Sequence, residues 1–267
     1  MTYKIALIGY GSVGRDVLQL LQPLIDYLNA EVLVLRQRQA GTAPMATGVT
    51  QCADLAGLLA RKPQLIIEAA SQQAVLDYLP DCLRSGAMVV VSSVGAFTEH
   101  GFLQQCLALS VEHQARIIVP SGAIGGLDYV QSIRQAPDLQ ITYESWRPLK
   151  TWADRLEAIG VDPATVTEPY ILFEGNAIEA AQKYPQNLNV AVTLALAGAG
   201  LDQTQVRILV DPSLERNQHR IQVRSQLGCM NTQITNFPSP TSPKASWVVA
   251  QSIASVVMRE FEALQLR

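Results

Sequence analysis

Lys4-Ile5-Ala6-Leu7-Ile8-Gly9-Tyr10-Gly11-Ser12-Val13-Gly14 is the stretch that decides the fold. After Lys4 it opens with an unbroken apolar run, the pattern of a strand buried on both faces. A Gly-x-Gly-x-x-Gly turn follows at once, and from Ser12 onward apolar residues recur three and four apart, giving a helix one face to bury. Strand, glycine turn and helix in that order form a dinucleotide-binding turn. The first glycine permits the tight turn, the second lets backbone approach a pyrophosphate, and the third lets helix and strand pack closely. The helix N-terminus then holds the negative charge. Gly9, Gly11, Ser12, Val13 and Gly14 are therefore candidate cofactor-binding residues. The alternative, a glycine-rich turn with no ligand, is answered by what surrounds it.

Outward from this turn, apolar runs at residues 3–8, 31–35, 65–68, 88–91 and 116–119 alternate with helical patterns at 12–24, 53–59, 72–84 and 99–114. Such alternation predicts βαβ units, hence an α/β fold with a Rossmann-type, doubly wound parallel sheet over residues 1–122. After Pro120 a glycine-rich turn, Ser121-Gly122-Ala123-Ile124-Gly125-Gly126, precedes shorter strands at 139–145, 170–173, 206–210, 220–225 and 230–234. Their polar alternation, with helices at 177–183 and 190–197, predicts a second, smaller α+β domain over 123–240 with an antiparallel, half-exposed sheet. Phe237-Pro238-Ser239-Pro240-Thr241-Ser242-Pro243 should continue neither strand nor helix. Beyond it, 245–264 reads as one long apolar helix, so that 241–267 returns to the first domain.

Of 267 residues, 48% are hydrophobic and 16% charged, with net charge -3 and no Lys/Arg run longer than Arg61-Lys62. That composition predicts compact folding and offers no footprint for nucleic acid or an anionic membrane. Cys52, Cys82, Cys106 and Cys229 lack CxxC spacing, so they read as reduced core thiols and no metal site is expected. The N-terminus shows no signal-peptide pattern and the apolar stretch 190–201 is too short to span a bilayer, which predicts a cytoplasmic protein acting on small molecules. The wet face of the second sheet predicts a homo-oligomer.

An NAD site usually carries an acid about twenty residues past the glycine motif. Here Arg36-Gln37-Arg38 stands at the end of the second strand, and no Asp or Glu occurs between residues 32 and 53. The cofactor is thus NAD or NADP. Acceptance of NADP is expected through charge-assisted bonds from Arg36 and Arg38 to a 2′-phosphate. Glu68, Ser71, Ser92 and Ser93 end central strands on the side where ligands bind in open sheets, and some of them should face the nicotinamide.

Val119-Pro120-Ser121-Gly122-Ala123-Ile124-Gly125-Gly126-Leu127-Asp128 closely resembles a signature of the L-aspartate dehydrogenases. So, in the family order, do Phe173-Glu174-Gly175-Asn176-Ala177, Pro185-Gln186-Asn187-Leu188-Asn189-Val190-Ala191, Asp211-Pro212 with Asn217 and His219, and Ser242-Pro243-Lys244-Ala245-Ser246. The resemblance implies that Ala123 and Asn189 hold the nicotinamide end of the cofactor and that His219 is catalytic. It implies the substrates L-aspartate, oxaloacetate and ammonia, and delivery of iminoaspartate to pyridine nucleotide biosynthesis. Histidine suits the chemistry because amino-acid oxidation leaves an imine that water must attack, and a group titrating near neutral pH can shuttle those protons. His100 and His113 fall at polar positions and read as surface residues. A dicarboxylate needs fixed cations, and Arg147 and Lys244 are the candidates among Arg147, Lys150, Lys183 and Lys244. Ser242 and Ala245 stand where the family pattern suggests Asn and Thr, and Ser145-Trp146-Arg147-Pro148 replaces an Arg-Lys-Pro-Pro-like stretch. The alternatives are a reductase of dihydrodipicolinate reductase type, whose paired histidines and Lys-x-Asp are missing, a homoserine-type dehydrogenase, and a non-catalytic dinucleotide sensor.

Overall fold

The computed structural model describes residues 2–36, 45–184, 189–240 and 242–264, with the backbone alone for 242–245. The chain divides into two compact units, Met1–Gly122 with Ser239–Arg267, and Ala123–Pro238. In the first, β1 (Lys4–Ile8), β2 (Glu31–Leu35), β3 (Val49–Cys52), β4 (Leu65–Glu68), β5 (Met88–Val91) and β6 (Arg116–Ile118) form a parallel sheet in the order β3-β2-β1-β4-β5-β6. Strand order reverses between β1 and β4, which places the glycine turn at the crevice where open α/β sheets bind ligands. The apolar run keeps β1 central, with Ile5, Ala6 and Leu7 wholly buried.

The crossovers are α1 (Ser12–Leu28), α2 (Leu55–Ala60), α3 (Gln72–Arg84) and α4 (Phe102–Glu112). The first continues past Pro23, four residues beyond the expected end, because Leu21 and Ile25 both bury on its core side. A sixth strand, β3, was not expected: it pairs only with β2 and exposes Thr50 and Gln51, so it lacks the apolar run of its neighbours.

The second unit contains α5 (Leu127–Ile133), β7 (Gln140–Pro148), α6 (Leu149–Glu157), β8 (Tyr170–Asn176), α7 (Ala177–Lys183), α8 (Asn189–Ala197), β9 (Gln205–Asp211), β10 (Gln218–Ser225) and β11 (Gly228–Thr235). Its sheet runs β11-β10-β7-β9-β8. The expectation of a purely antiparallel sheet fails at β7 and β9, which pair in parallel. The long connection through α6, β8, α7 and α8 brings the chain back in the same direction, as parallel pairing requires. Val130 and Ile133 of α5, Ala177 and Ala180 of α7, and Leu194 and Ala195 of α8 close over the inner face, with Ile141, Tyr143, Ile208 and Ile221 beneath them. Along the outer face Glu174, Arg207, Glu144 and Arg220 follow one another across four strands. Arg207 reaches Glu174 at 2.7 Å and Arg220 stacks on Trp146 at 3.7 Å, so this face carries charge rather than bare apolar surface.

The chain then re-enters the first unit through β12 (Pro238–Ser239) and β13 (Ser242–Ser246), which pair with each other. The proline-rich segment does form strand, against expectation. A two-stranded ribbon has only edges, where a missing proline N–H need not break a ladder. The final helix, α9 (Val248–Arg259), is shorter than the expected 245–264 because Ala245 and Ser246 belong to β13. Its Ala250, Ile253, Ala254 and Val257 share a core with Val17, Leu21 and Ile25 of α1. Cys52, Cys82 and Cys106 are buried, but Cys229 is exposed, a correction to the expectation of four core thiols. Met230 and Ile234 take the inward side of β11, and the two-residue period turns Cys229 outward. No described helix is long and apolar enough to cross a membrane. Ile253 is fully buried, so Ile253→Ala should cost about 2–5 kcal/mol, read as a lower denaturant midpoint. An unchanged midpoint would mean that α9 is not part of this core.

Candidate active site

The glycine turn shows why its residues are glycines. Gly9 has φ +99°, and a Cβ there would lie 2.6 Å from the Ala69 carbonyl oxygen on the neighbouring loop. At Gly14 a Cβ would come within 2.2 Å of the Gly9 carbonyl oxygen, so α1 could not approach β1. Gly11 faces open space, with nothing within 4 Å of the position its Cβ would take. Ser12 and Val13 open α1, whose first turn carries no acidic residue and whose N-cap, Gly11, makes no side-chain bond. These residues therefore fit a pyrophosphate lying against the backbone and the first turn of α1. Arg36 lines a cleft of about 870 Å³ with Ile8, Leu35, Ala53 and Asp54, at the carboxyl ends of β1, β2 and β3. Arg38 lies outside the described residues.

Glu68, at the end of β4, is only 3% exposed. Its carboxylate accepts from the backbone N–H groups of Ala70 (2.8 Å), Ser71 (3.1 Å), Ser92 (3.1 Å) and Ser93 (2.9 Å), and from the Ser93 hydroxyl at 2.8 Å. Burial pushes this carboxyl above the usual range even though the Ala70, Ser92 and Ser93 N–H groups and the Ser93 hydroxyl oppose the shift. The Ser71 hydroxyl is also engaged, capping α3 through the Ala74 N–H at 3.2 Å. Glu68 thus ties together the two loops that follow β4 and β5.

In the second unit, the alternation along β7 puts Tyr143, Ser145 and Arg147 on the inner face, and the register sets His219 of β10 directly opposite Ser145. All four are buried: Tyr143 and Ser145 at 0%, His219 at 3% and Arg147 at 7% exposure. The Tyr143 hydroxyl lies 2.7 Å from His219 Nδ1, with the two rings within 15° of parallel. Arg147 donates from Nε to Ser145 Oγ at 2.8 Å, and its guanidinium carbon sits 5.4 Å from the Trp152 ring. The structure thus brings His219 and Arg147 into one cluster, together with Tyr143 and Ser145, which sequence reasoning did not single out. Burial, reinforced by the Arg147 charge, lowers the His219 pKa to about 3. The expectation that it titrates near neutral pH is therefore corrected, because a charged imidazole would be doubly disfavoured here.

Ala123 is buried at the approach to α5, and its carbonyl accepts from Asn236 Nδ2 at 2.8 Å. One residue earlier, the Gly122 N–H donates to Ser252 Oγ of α9 at 2.9 Å. Asn189 is the half-buried first residue of α8. The Lys244 side chain lies outside what is described. His100 and His113 take no part in the cluster: the first lies in the turn before α4 and the second caps its end.

A curated relative named L-aspartate dehydrogenase 2, from Bordetella bronchiseptica, is 44% identical over 261 residues, covering 97% of each chain. The chain belongs to the aspartate dehydrogenase family. L-aspartate dehydrogenase of Methanosarcina barkeri is 32% identical, over 98% of each chain. Residues 128–260 match the family model described as aspartate dehydrogenase, C-terminal, and residues 9–120 match homoserine dehydrogenase, NAD binding domain. Among solved structures, aspartate dehydrogenase from Thermotoga maritima superimposes with a TM-score of 0.76 at 22% identity, covering both chains fully, which shows the shared fold. A member of this family with this glycine turn is a pyridine-nucleotide oxidoreductase.

The depressed pKa of His219 gives a stability test. The unfolded imidazole takes up a proton below about pH 6.5, whereas the folded one resists until about pH 3. Stability is therefore present above pH 6.5 and lost as the pH falls through that window, at about 1.4 kcal/mol per pH unit. Relative to His219→Asn, the native protein should lose about 2 to 3 kcal/mol in denaturant unfolding between pH 6.5 and 4.5. Parallel pH curves for the two proteins would refute the buried, neutral assignment.

Proposed function

We propose that the chain is an NAD(P)-dependent L-aspartate dehydrogenase, catalysing the reversible oxidative deamination of L-aspartate to iminoaspartate and then oxaloacetate plus ammonia. The observation that carries this reading is the full-length match to L-aspartate dehydrogenases, joined to a buried His219 and Arg147 on one face of the second unit's sheet. The nicotinamide, when bound, accepts hydride from the substrate Cα. Gly9, Gly11, Ser12, Val13 and Gly14 hold the pyrophosphate end, and Ala123 and Asn189 hold the nicotinamide end. Arg36 and Arg38 admit a 2′-phosphate, so NADP is accepted beside NAD.

Arg147 is a candidate for one substrate carboxylate: Ser145 and Trp152 fix the guanidinium before substrate arrives, which keeps down the ordering cost of binding. Lys244 is the candidate for the other. His219 works at the oxygen on the imine carbon as water adds or leaves. Likeness to homoserine dehydrogenase (TM-score 0.52, 13% identity) and dihydrodipicolinate reductase (TM-score 0.50, 18% identity) concerns the fold alone, so neither activity gains support from it.

The reacting amine must be neutral to expel hydride, so deamination should rise toward alkaline pH. Absorbance at 340 nm should report NAD(P)H formed from L-aspartate at pH 9, and none formed would overturn the assignment. His219→Asn should lower kcat by about 10² to 10⁴, some 3 to 5 kcal/mol, with cofactor affinity nearly kept. A His219→Asn enzyme within about threefold of the native rate would remove the histidine from the chemistry. Arg36→Asp should shift kcat/KM toward NAD, and an unchanged ratio of the two cofactors would clear Arg36 of that role.

A further inference from the structure

His219 can reach its work in either of two neutral tautomers, and they do opposite things. With the proton on Nε2 that nitrogen donates a hydrogen bond, and with the proton on Nδ1 it accepts one. Which form is present is set by what Nδ1 touches, and the buried face of β7 answers that from one end. The neighbouring Ser145 Oγ accepts from Arg147 Nε at 2.8 Å. The buried Tyr143 hydroxyl makes its hydrogen bond with His219 Nδ1 at 2.7 Å. A buried hydroxyl that leaves its hydrogen without an acceptor forfeits a bond it had in water, so the Tyr143 hydrogen goes to Nδ1.

We propose that Tyr143 is a positioning residue that holds His219 as the Nε2–H tautomer by donating its phenol hydrogen to Nδ1. The resting imidazole then meets the substrate as a neutral donor, directed at the oxygen on the imine carbon. It polarises the keto oxygen of the oxo acid in amination and holds the carbinolamine oxygen in deamination. Two features support this arrangement. The two rings lie within 15° of parallel, with centroids 6.0 Å apart. Complete burial of Tyr143 leaves water no opening to replace either partner. This inference rests on the role given to His219 above, and it deepens that role by saying which nitrogen carries the proton.

The test is nitrogen NMR of the full chain labelled with ¹⁵N-histidine, the His219 signals being identified by their loss in His219→Asn. Between pH 5.5 and 9, Nε2 should appear protonated and Nδ1 unprotonated. In Tyr143→Phe, where the ring volume is kept and only the hydroxyl goes, the two tautomers should mix. That variant should also lose about tenfold in kcat with KM for the cofactor unchanged, the loss expected for one neutral hydrogen bond of some 1.4 kcal/mol. A protonated Nδ1 in the native protein, or a doubly protonated ring in that pH range, overturns the proposal. An Nε2–H signal that stays single in Tyr143→Phe overturns the part given to Tyr143. Should Tyr143→Phe fail to fold, the native spectrum alone still decides the tautomer. None of these readings needs a substrate, so a failure here is distinct from a failure of L-aspartate to react.

Discussion

The register of β7 against β10 is the constraint on which the buried polar cluster of the second unit depends. Because side chains alternate across a strand, sliding one strand by a single residue would turn every group to the opposite face. As paired, His219 stands opposite Ser145, with Tyr143 and Arg147 two residues to either side, all facing the helices of the second unit. The other parity is Glu144, Trp146 and Arg220, which meet on the outer face. Burying four polar side chains together is made tolerable in part by the bonds between Tyr143 and His219 and between Arg147 and Ser145, since an unbonded buried polar group costs about 1–3 kcal/mol. The same bonds that make the burial tolerable also orient the imidazole.

The dinucleotide half works by a different physics. There the proposed binding groups are mainly backbone N–H donors, and the side chains serve to bring backbone close. Gly9 and Gly14 do so by having no Cβ, and Glu68 does so by gathering four N–H groups and a hydroxyl onto one carboxylate. The carboxylate is consumed in shaping the loops, and the Ser71 and Ser93 hydroxyls are spent on α3 and on Glu68.

Where a segment's burial is uniform, its sequence spoke clearly. Continuous apolar runs located β1, β2, β4 and β5 to within a residue, and α3 and α7 fell within the expected bounds. What escaped was whatever depends on partners distant in the chain. Val49-Thr50-Gln51-Cys52 becomes β3 only because β2 offers it an edge, and the prolines after Phe237 join strands only because those strands have no further neighbours. The parallel pairing of β7 with β9 follows from the crossover's path, which no local pattern records. The same holds at the site. Gly9 to Gly14 announce themselves by spacing, but His219 was marked out by family resemblance, and Tyr143 and Ser145 look like ordinary alternating strand positions. Only the cross-strand register reveals that the residues at 143, 145, 147 and 219 are one group.

The proposed activity depends on hydride leaving the substrate Cα, and isotopic transfer tests that most directly. L-Aspartate carrying deuterium at Cα should be incubated with the protein and NAD or NADP, and the reduced cofactor analysed by mass spectrometry and proton NMR. The proposed chemistry predicts one deuterium at the nicotinamide C4, formed together with oxaloacetate. Reduced cofactor without deuterium, or no reduced cofactor at all, would contradict it.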